Sequence, residues 1–196
     1  MLPLSLSNAV PKRKREYLAG RLCASEALMR AGYPQPYFPA MGTDRLPVWP
    51  QGWLGSISHS GNYATAAVVR QECHLLLGID IQQQVSEKTM HAVQYLIAKP
   101  EELSLIEGLD DSRRLTLIFS AKESLYKTLY PQVRRIQEFD AAKLVQVDVH
   151  TLTFALTRDW SDAWKAGTCI GVNYAEVSDY MFTAACIGND VSGSLA

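Results

Sequence analysis

Residues 75–82, LLLGIDIQ, and residues 111–131, DSRRLTLIFSAKESLYKTLYP, decide how this chain folds. The first is a short apolar run that breaks at a carboxylate. It reads as a buried strand, Leu75 to Ile81, that delivers Asp80 to a site at its end. In a strand, Asp80 and Gln82 share a face. The second stretch places Leu115, Ile118, Phe119, Lys122, Leu125, Tyr126 and Leu129 at i, i+3 and i+4. That spacing, with Asp110 or Asp111 as cap and Pro131 as stop, predicts the strongest helix of the chain.

Working outward, residues 11–31 read as a helix. Pro11 suits its first turn, Leu18, Leu22, Ser25 and Met29 keep helical spacing, and Gly32 can stop it. The Pro- and Gly-crowded stretch 32–52 is then an irregular, packed loop. Leu54 to Ser58 and Tyr63 to Val69 read as short strands. Ser86 caps a helix over Lys88 to Ala98, and Pro100 with Glu101 and Glu102 starts another short one. LVQVDVH (144–150) and TLTFAL (151–156) alternate as a hairpin, and Cys169–Glu176 and Tyr180–Ile187 supply two more strands. Thr65-Ala66-Ala67 in one strand is echoed by Thr183-Ala184-Ala185 in another, a faint sign of two related α+β halves.

The chain has 196 residues, 47% hydrophobic and 20% charged. That is enough to bury a core, too apolar for disorder and too poor in Cys for a disulfide scaffold. Nineteen basic against twenty acidic residues leave a net charge of −1, so there is no global field for nucleic acid. Any bound anion must be held by local groups. Cys23, Cys73, Cys169 and Cys186 are dispersed without metal-ligand spacing, which favours reduced thiols over a zinc site. The N-terminus has its apolar residues ahead of its charges, the wrong order for a signal peptide, and no run is long enough to span a bilayer. The expectation is a soluble cytoplasmic protein with no transmembrane segment.

Three segments carry more polar specificity than a core requires, and each has two readings. Gly55-Ser56-Ile57-Ser58-His59-Ser60-Gly61 offers small residues, hydroxyls and an imidazole to a phosphate, or is a Ser- and Gly-rich turn with one exposed His. Asp80 between Ile79 and Ile81 holds a cation, or caps the helix that follows. Glu123 and Lys127, four apart on one helix face, act as metal ligand and phosphate clamp, or form an ordinary surface pair worth about 0.3 kcal/mol.

Taken together, GSISHSG, then LGIDIQ, then FSAKESLYK resemble the 4′-phosphopantetheinyl transferases of the Sfp/EntD group, nearest the type that serves siderophore synthetases. KRKREYLAGRLCA (12–24) is similar to the basic helix of that type, and RLPVWPQGWLGSISHS (45–60) to its loop and strand. The matches span roughly residues 12–130, and motifs in this order are far more specific than a lone Gly-rich loop. The resemblance implies an α+β fold made of a pseudo-two-fold pair of subdomains, 1–77 and 78–196, with the active site in the cleft between them. It implies transfer of the phosphopantetheine arm of coenzyme A, with Mg²⁺, to a serine of an apo aryl, peptidyl or acyl carrier protein. Adenosine 3′,5′-bisphosphate is released. A non-ribosomal peptide or siderophore pathway, and a monomer, are the expected setting.

The resemblance also assigns roles. Asp80 and Glu123 match the metal carboxylates, and Glu123 or a water it orients can accept the serine proton, with a water on the metal as rival. Lys127 matches the lysine that neutralises the pyrophosphate, and Lys122 a second lysine for the same phosphates. Ser58 and His59 match the pair at the 3′-phosphate, where Arg45 and Lys14 add charge, and Arg21 matches the arginine beside the adenine. One position departs from the pattern. The family reads GIDIE where this chain has Gln82, leaving a neutral amide or a water at the metal, so the expectation is activity with altered metal affinity. By analogy the carrier docks along Val85 to Ile97, where Met90, Val93, Leu96 and Ile97 either form a groove or fill the core, with Lys88 or Lys99 steering an acidic partner. Two rival classes remain: a non-catalytic coenzyme A or nucleotide-binding module, and a nucleic-acid binder using Lys12-Arg13-Lys14-Arg15, which lacks stacking aromatics.

Overall fold

The structure is a computed structural model that describes residues 2–188, side chains at 74 and 75 excepted. Four helices and nine strands run in the order α1 (Pro11–Arg30), β1 (Ala40–Met41), β2 (Pro47–Val48), β3 (Trp53–Ser60), β4 (Tyr63–Arg70), β5 (His74–Gln83), α2 (Glu87–Ile97), α3 (Pro100–Leu103), α4 (Asp111–Val133), β6 (Ala142–Val147), β7 (Thr151–Leu156), β8 (Cys169–Val177) and β9 (Tyr180–Gly188). The fold is α+β. Contacts divide the described chain into two compact units, residues 2–77 with 186–188, and residues 78–185.

In the first unit α1 packs on the antiparallel β3–β4 hairpin, where Ser58 faces Thr65 and His59 faces Ala64. The helix approaches closely because Gly20 lies over Ile57, whose Cγ2 would stand 2.7 Å from any added Cβ. The buried face is Tyr17, Gly20, Ala24, Ser25 and Leu28, with the small residues Gly20, Ala24 and Ser25 at its centre. The helical spacing read from Leu18, Leu22 and Met29 is correct, but those three side chains are exposed. The loop 32–52 is irregular except for the two-residue strands β1 and β2, which pair as a small hairpin.

The second unit builds its core on α4. Asp110 caps it by accepting from the Arg113 N–H at 2.9 Å. Leu115, Leu117, Ile118, Ala121, Leu125 and Leu129 are essentially sealed from solvent. Pro131 does not end the helix as its sequence position suggests. In the final turn a proline forfeits one N–H bond only, and the helix runs to Val133 before Arg134 turns left-handed at φ 54°. A five-stranded sheet, in the order β5-β9-β8-β7-β6, supplies the opposing layer. Pairing is antiparallel from β9 to β6, and β6 carries a bulge between Leu144 and Gln146.

The Ser86 cap agrees with the sequence, and a second cap was not read from it. Ser86 accepts from the Thr89 N–H at the start of α2. Glu102 closes a capping box on α3 by accepting from the Lys99 N–H at 2.9 Å. No helix of the described residues is long and apolar enough to cross a membrane.

Candidate active site

Gly78 determines how closely β5 meets α4. A Cβ there would overlap the Ser124 carbonyl oxygen and the Thr128 hydroxyl. With only hydrogen at this position, Asp80 comes down against one face of α4, two residues further along the strand. The helix answers with small hydroxyls. Ser120 donates to Asp80 Oδ2 at 2.9 Å, and Ser120 and Ser124 lie 2.9 and 2.6 Å from Thr183 Oγ1 on β9. Thr183 donates in turn to the Ser120 carbonyl, at 2.8 Å. Every member of this network is buried, so each hydroxyl has a protein partner in place of water.

The other Asp80 oxygen, Oδ1, accepts from the Lys127 ammonium at 2.6 Å, and that ammonium also reaches the Ile79 carbonyl at 3.2 Å. Glu123 stands one turn before Lys127 on α4. Burial pushes its carboxyl up, the Asp80 charge adds to the rise, and the Lys127 ammonium opposes both. Asp80, Glu123 and Lys127 are thus one coupled set, the three residues expected to carry the chemistry. Gln82 is half-buried on the same strand, and its amide nitrogen donates to the Gln83 carbonyl at 2.9 Å.

Magnesium asks for hard oxygen donors, typically one or two carboxylates completed by water and substrate phosphate. Two carboxylates, Asp80 and Glu123, with an amide oxygen two residues along from Asp80, fit that requirement. No group of three or more His, Cys, Asp or Glu placed to hold a metal occurs among the described residues, so a cation here would depend on substrate oxygens to complete its shell. Beside Glu123 opens a recess of about 260 Å³, lined in part by Tyr126, Ile136, Phe139 and Trp160.

Lys122 borders the same recess, but its ammonium is tied to partners of its own. Its side chain is 4% exposed, its ammonium lies 2.9 Å from Glu102 and donates to the Ile97 carbonyl at 2.8 Å. Burial pulls its pKa down, and the Glu102 hydrogen bond partly restores it. An ammonium so enclosed is no open contact for a phosphate.

The anion-binding candidates lie in the first unit. Ser58 is buried on β3 and His59 half-buried beside it. The Arg13 guanidinium is 2.8 Å from His59 Nε2. Nδ1 of the same ring stands 3.8 Å from Glu16 Oε2, so the imidazole lies between a cation and a carboxylate. Lys14 donates instead to the Ser7 carbonyl at 2.6 Å. Arg21 stacks its guanidinium 4.4 Å above the Tyr17 ring, and its buried Nε has no hydrogen-bond partner among the described residues. Arg45 is exposed at the β1–β2 turn with φ 67°. Arg13 and Glu16 escaped sequence reasoning because a KRKR run reads as a solvated helix end. Ser120 sat inside a quoted motif without an assigned role.

Along the expected carrier surface, Met90 and Ile97 fill the core, whereas Leu96 and its neighbour Tyr95 are exposed.

Two family models match this chain. The 4′-phosphopantetheinyl transferase N-terminal domain matches residues 3–69, and the 4′-phosphopantetheinyl transferase superfamily matches residues 76–182, more than half of the chain. Enterobactin synthase component D of Salmonella typhi is 36% identical over 153 residues, covering 77% of this chain and 62% of that protein. The protein of the same name from Escherichia coli K12 is 45% identical over 124 residues, 62% of this chain and 57% of that one. The 4′-phosphopantetheinyl transferase Svp of Streptomyces mobaraensis is 36% identical over 157 residues, 77% of this chain and 62% of that protein. The matched regions span about three fifths of the length of these relatives.

Proposed function

The chain belongs to the 4′-phosphopantetheinyl transferase superfamily, and from that premise we propose that it moves the 4′-phosphopantetheine arm of coenzyme A onto a serine of an apo carrier protein. The observation that carries this reading is the convergence of Asp80, Glu123 and Lys127, with Asp80 and Lys127 in contact at 2.6 Å.

The serine oxygen attacks the β-phosphorus, the bond from that phosphorus to the bridging oxygen breaks, and adenosine 3′,5′-bisphosphate leaves with the electron pair. Such displacements are accelerated chiefly by in-line positioning and charge neutralisation. Glu123 takes the serine proton, directly or through a water it orients. Burial raises its pKa in the ligand-free protein, and a bound cation would oppose that rise, which favours the water relay. Lys127 sits where it can follow the charge onto the pyrophosphate and protonate the departing oxygen. Mg²⁺ held by Asp80 and Glu123, with Gln82 weakly or through water, would supply Lewis-acid neutralisation of the diphosphate. His59 with Ser58, backed by Arg13 and joined by Arg45 and Lys14, binds the 3′-phosphate, and Arg21 with Tyr17 meets the adenine.

The reading includes the arrangement that the resemblance implies, a pseudo-two-fold pair of α+β halves (1–77 and 78–196) that act on one coenzyme A in the cleft between them. The paired Thr-Ala-Ala runs in β4 and β9 support it, as does a helix on antiparallel strands in each unit. A non-ribosomal peptide or siderophore synthetase is the proposed client, since two of the relatives described above are named for enterobactin synthase. Four free cysteines accord with action in the cytosol, and the reading is of a monomer. The carrier meets the surface around Leu96, with Lys88 and Lys99 steering its acidic helix.

Incubation with coenzyme A, Mg²⁺ and an apo carrier, followed by intact-mass measurement, tests the proposal. A phosphopantetheine-sized gain on the carrier is expected, abolished by Glu123→Ala and by Asp80→Ala. Coenzyme A binding with no gain on several apo carriers would replace it with a non-catalytic coenzyme A module.

A further inference from the structure

We infer that Lys122 and Glu102 form a buried positioning pair that holds the helix backbone in front of Glu123, and that Lys122 does not contact the coenzyme A phosphates. The functional half of this inference rests on the proposed transfer reaction. The geometry is that of a closed node. Glu102 Oε1 accepts from the Lys122 ammonium at 2.9 Å and from the Leu144 N–H at 3.0 Å, and Oε2 accepts from the Lys99 N–H at 2.9 Å. The ammonium donates also to the Ile97 carbonyl at 2.8 Å. Four elements therefore meet at one ion pair: the end of α2, the start of α3, strand β6 and helix α4. Both side chains are only 4% exposed.

The sequence position of Lys122 explains its importance. It precedes Glu123 directly, so a shift of its Cα carries the next side chain with it. A side chain drawn toward α3 and β6 leaves Glu123 on the adjacent face, toward Asp80 and Lys127. Buried charges of this kind are costly to break and cheap to replace together, because removal of one partner strands the other in a low dielectric. A pair used for positioning should therefore show coupling, and a phosphate contact should not.

The test uses Lys122→Met, Glu102→Gln and the double variant, assayed well below their unfolding midpoints. Each single variant is expected to lower the midpoint by about 10 °C and kcat by about ten- to a hundredfold, with KM and the dissociation constant for coenzyme A within about twofold of wild type. The double variant should lose less than the sum of the two. A single variant that fails to fold while the double one folds gives the same result in stronger form. An independent measurement needs no variant and no turnover. In reductive methylation of the folded wild-type protein, Lys122 should stay unmodified with or without coenzyme A. Methylation that coenzyme A suppresses, a tenfold rise in KM in Lys122→Met alone, or strictly additive losses would each overturn the inference. Absence of transfer by wild-type protein would instead count against the proposed reaction, leaving the midpoints and the methylation pattern to judge the pair.

Discussion

Glu123 is pulled two ways. Burial and the Asp80 charge favour its neutral form, while Lys127 favours the ion, and the balance leaves its pKa above that of an ordinary carboxyl. The sign of the stability effect follows by linkage. A folded carboxyl whose pKa is raised costs nothing while protonated in both states, below the unfolded value of 4.5. The cost builds as pH rises from that unfolded value to the higher folded one and is complete above it. Glu123→Gln should therefore raise the unfolding midpoint of the ligand-free protein at pH 7 to 8, with the gain disappearing near pH 4, while transfer activity is lost by a factor of about 100 or more. A midpoint difference that is unchanged between the two pH values would show that the carboxylate is not penalised by its surroundings. Gln82 gives a second prediction at this scale. Gln82→Glu adds a charge beside Asp80, so half-maximal transfer should need several-fold less Mg²⁺. Superimposable magnesium titrations of the two proteins would show that the position does not touch the ion.

At the scale of the element, the decisive contact is backbone to backbone, where β5 crosses α4 at Gly78. No side chain larger than hydrogen fits against the Ser124 carbonyl and Thr128 hydroxyl. Gly78→Ala should cost about 3 kcal/mol or more, since neither the helix nor the strand can yield without disturbing the core, and urea denaturation will show it as a lower midpoint at unchanged slope. A loss under about 1 kcal/mol would mean that the helix can shift without penalty. This crossing also explains what the sequence could and could not reveal. The period of α4 and the apolar run of β5 were readable, because periodicity records which residues share a face, whereas roles for Asp80, Glu123 and Lys127 came only with the resemblance of the motifs. Which face of α1 is buried was not readable. The close approach at Gly20 favours small side chains over the larger Leu18 and Leu22, and hydrophobicity alone ranks them the other way. The partner of Lys122 was hidden for a related reason. Glu102 lies twenty residues away in sequence, and only the folded chain shows that the two close a buried ion pair.

At the scale of the whole molecule, a net charge of −1 gives no long-range attraction for an anionic ligand, so affinity for one must come from a few local groups. The first unit offers His59 held by Arg13, and the second offers Lys127 beside Asp80. Ligand binding stabilises the native state in proportion to the logarithm of its saturation, about 2.7 kcal/mol at a hundred times the dissociation constant. For a chain of this size that amounts to a midpoint shift of about 5–10 °C. If both units serve one ligand, coenzyme A should move a single cooperative transition by this amount. The two ends of the ligand can then be separated chemically. Dephospho-coenzyme A lacks the 3′-phosphate, so His59→Ala should diminish the shift caused by coenzyme A and leave that caused by dephospho-coenzyme A nearly unchanged. Lys127→Met, which acts at the diphosphate, should diminish both. Two resolved transitions, only one of them responsive to coenzyme A, would mean that the ligand is held by one unit alone. Equal sensitivity of both ligands to His59→Ala would remove the imidazole from the 3′-phosphate, because its loss would then be felt where that phosphate is missing.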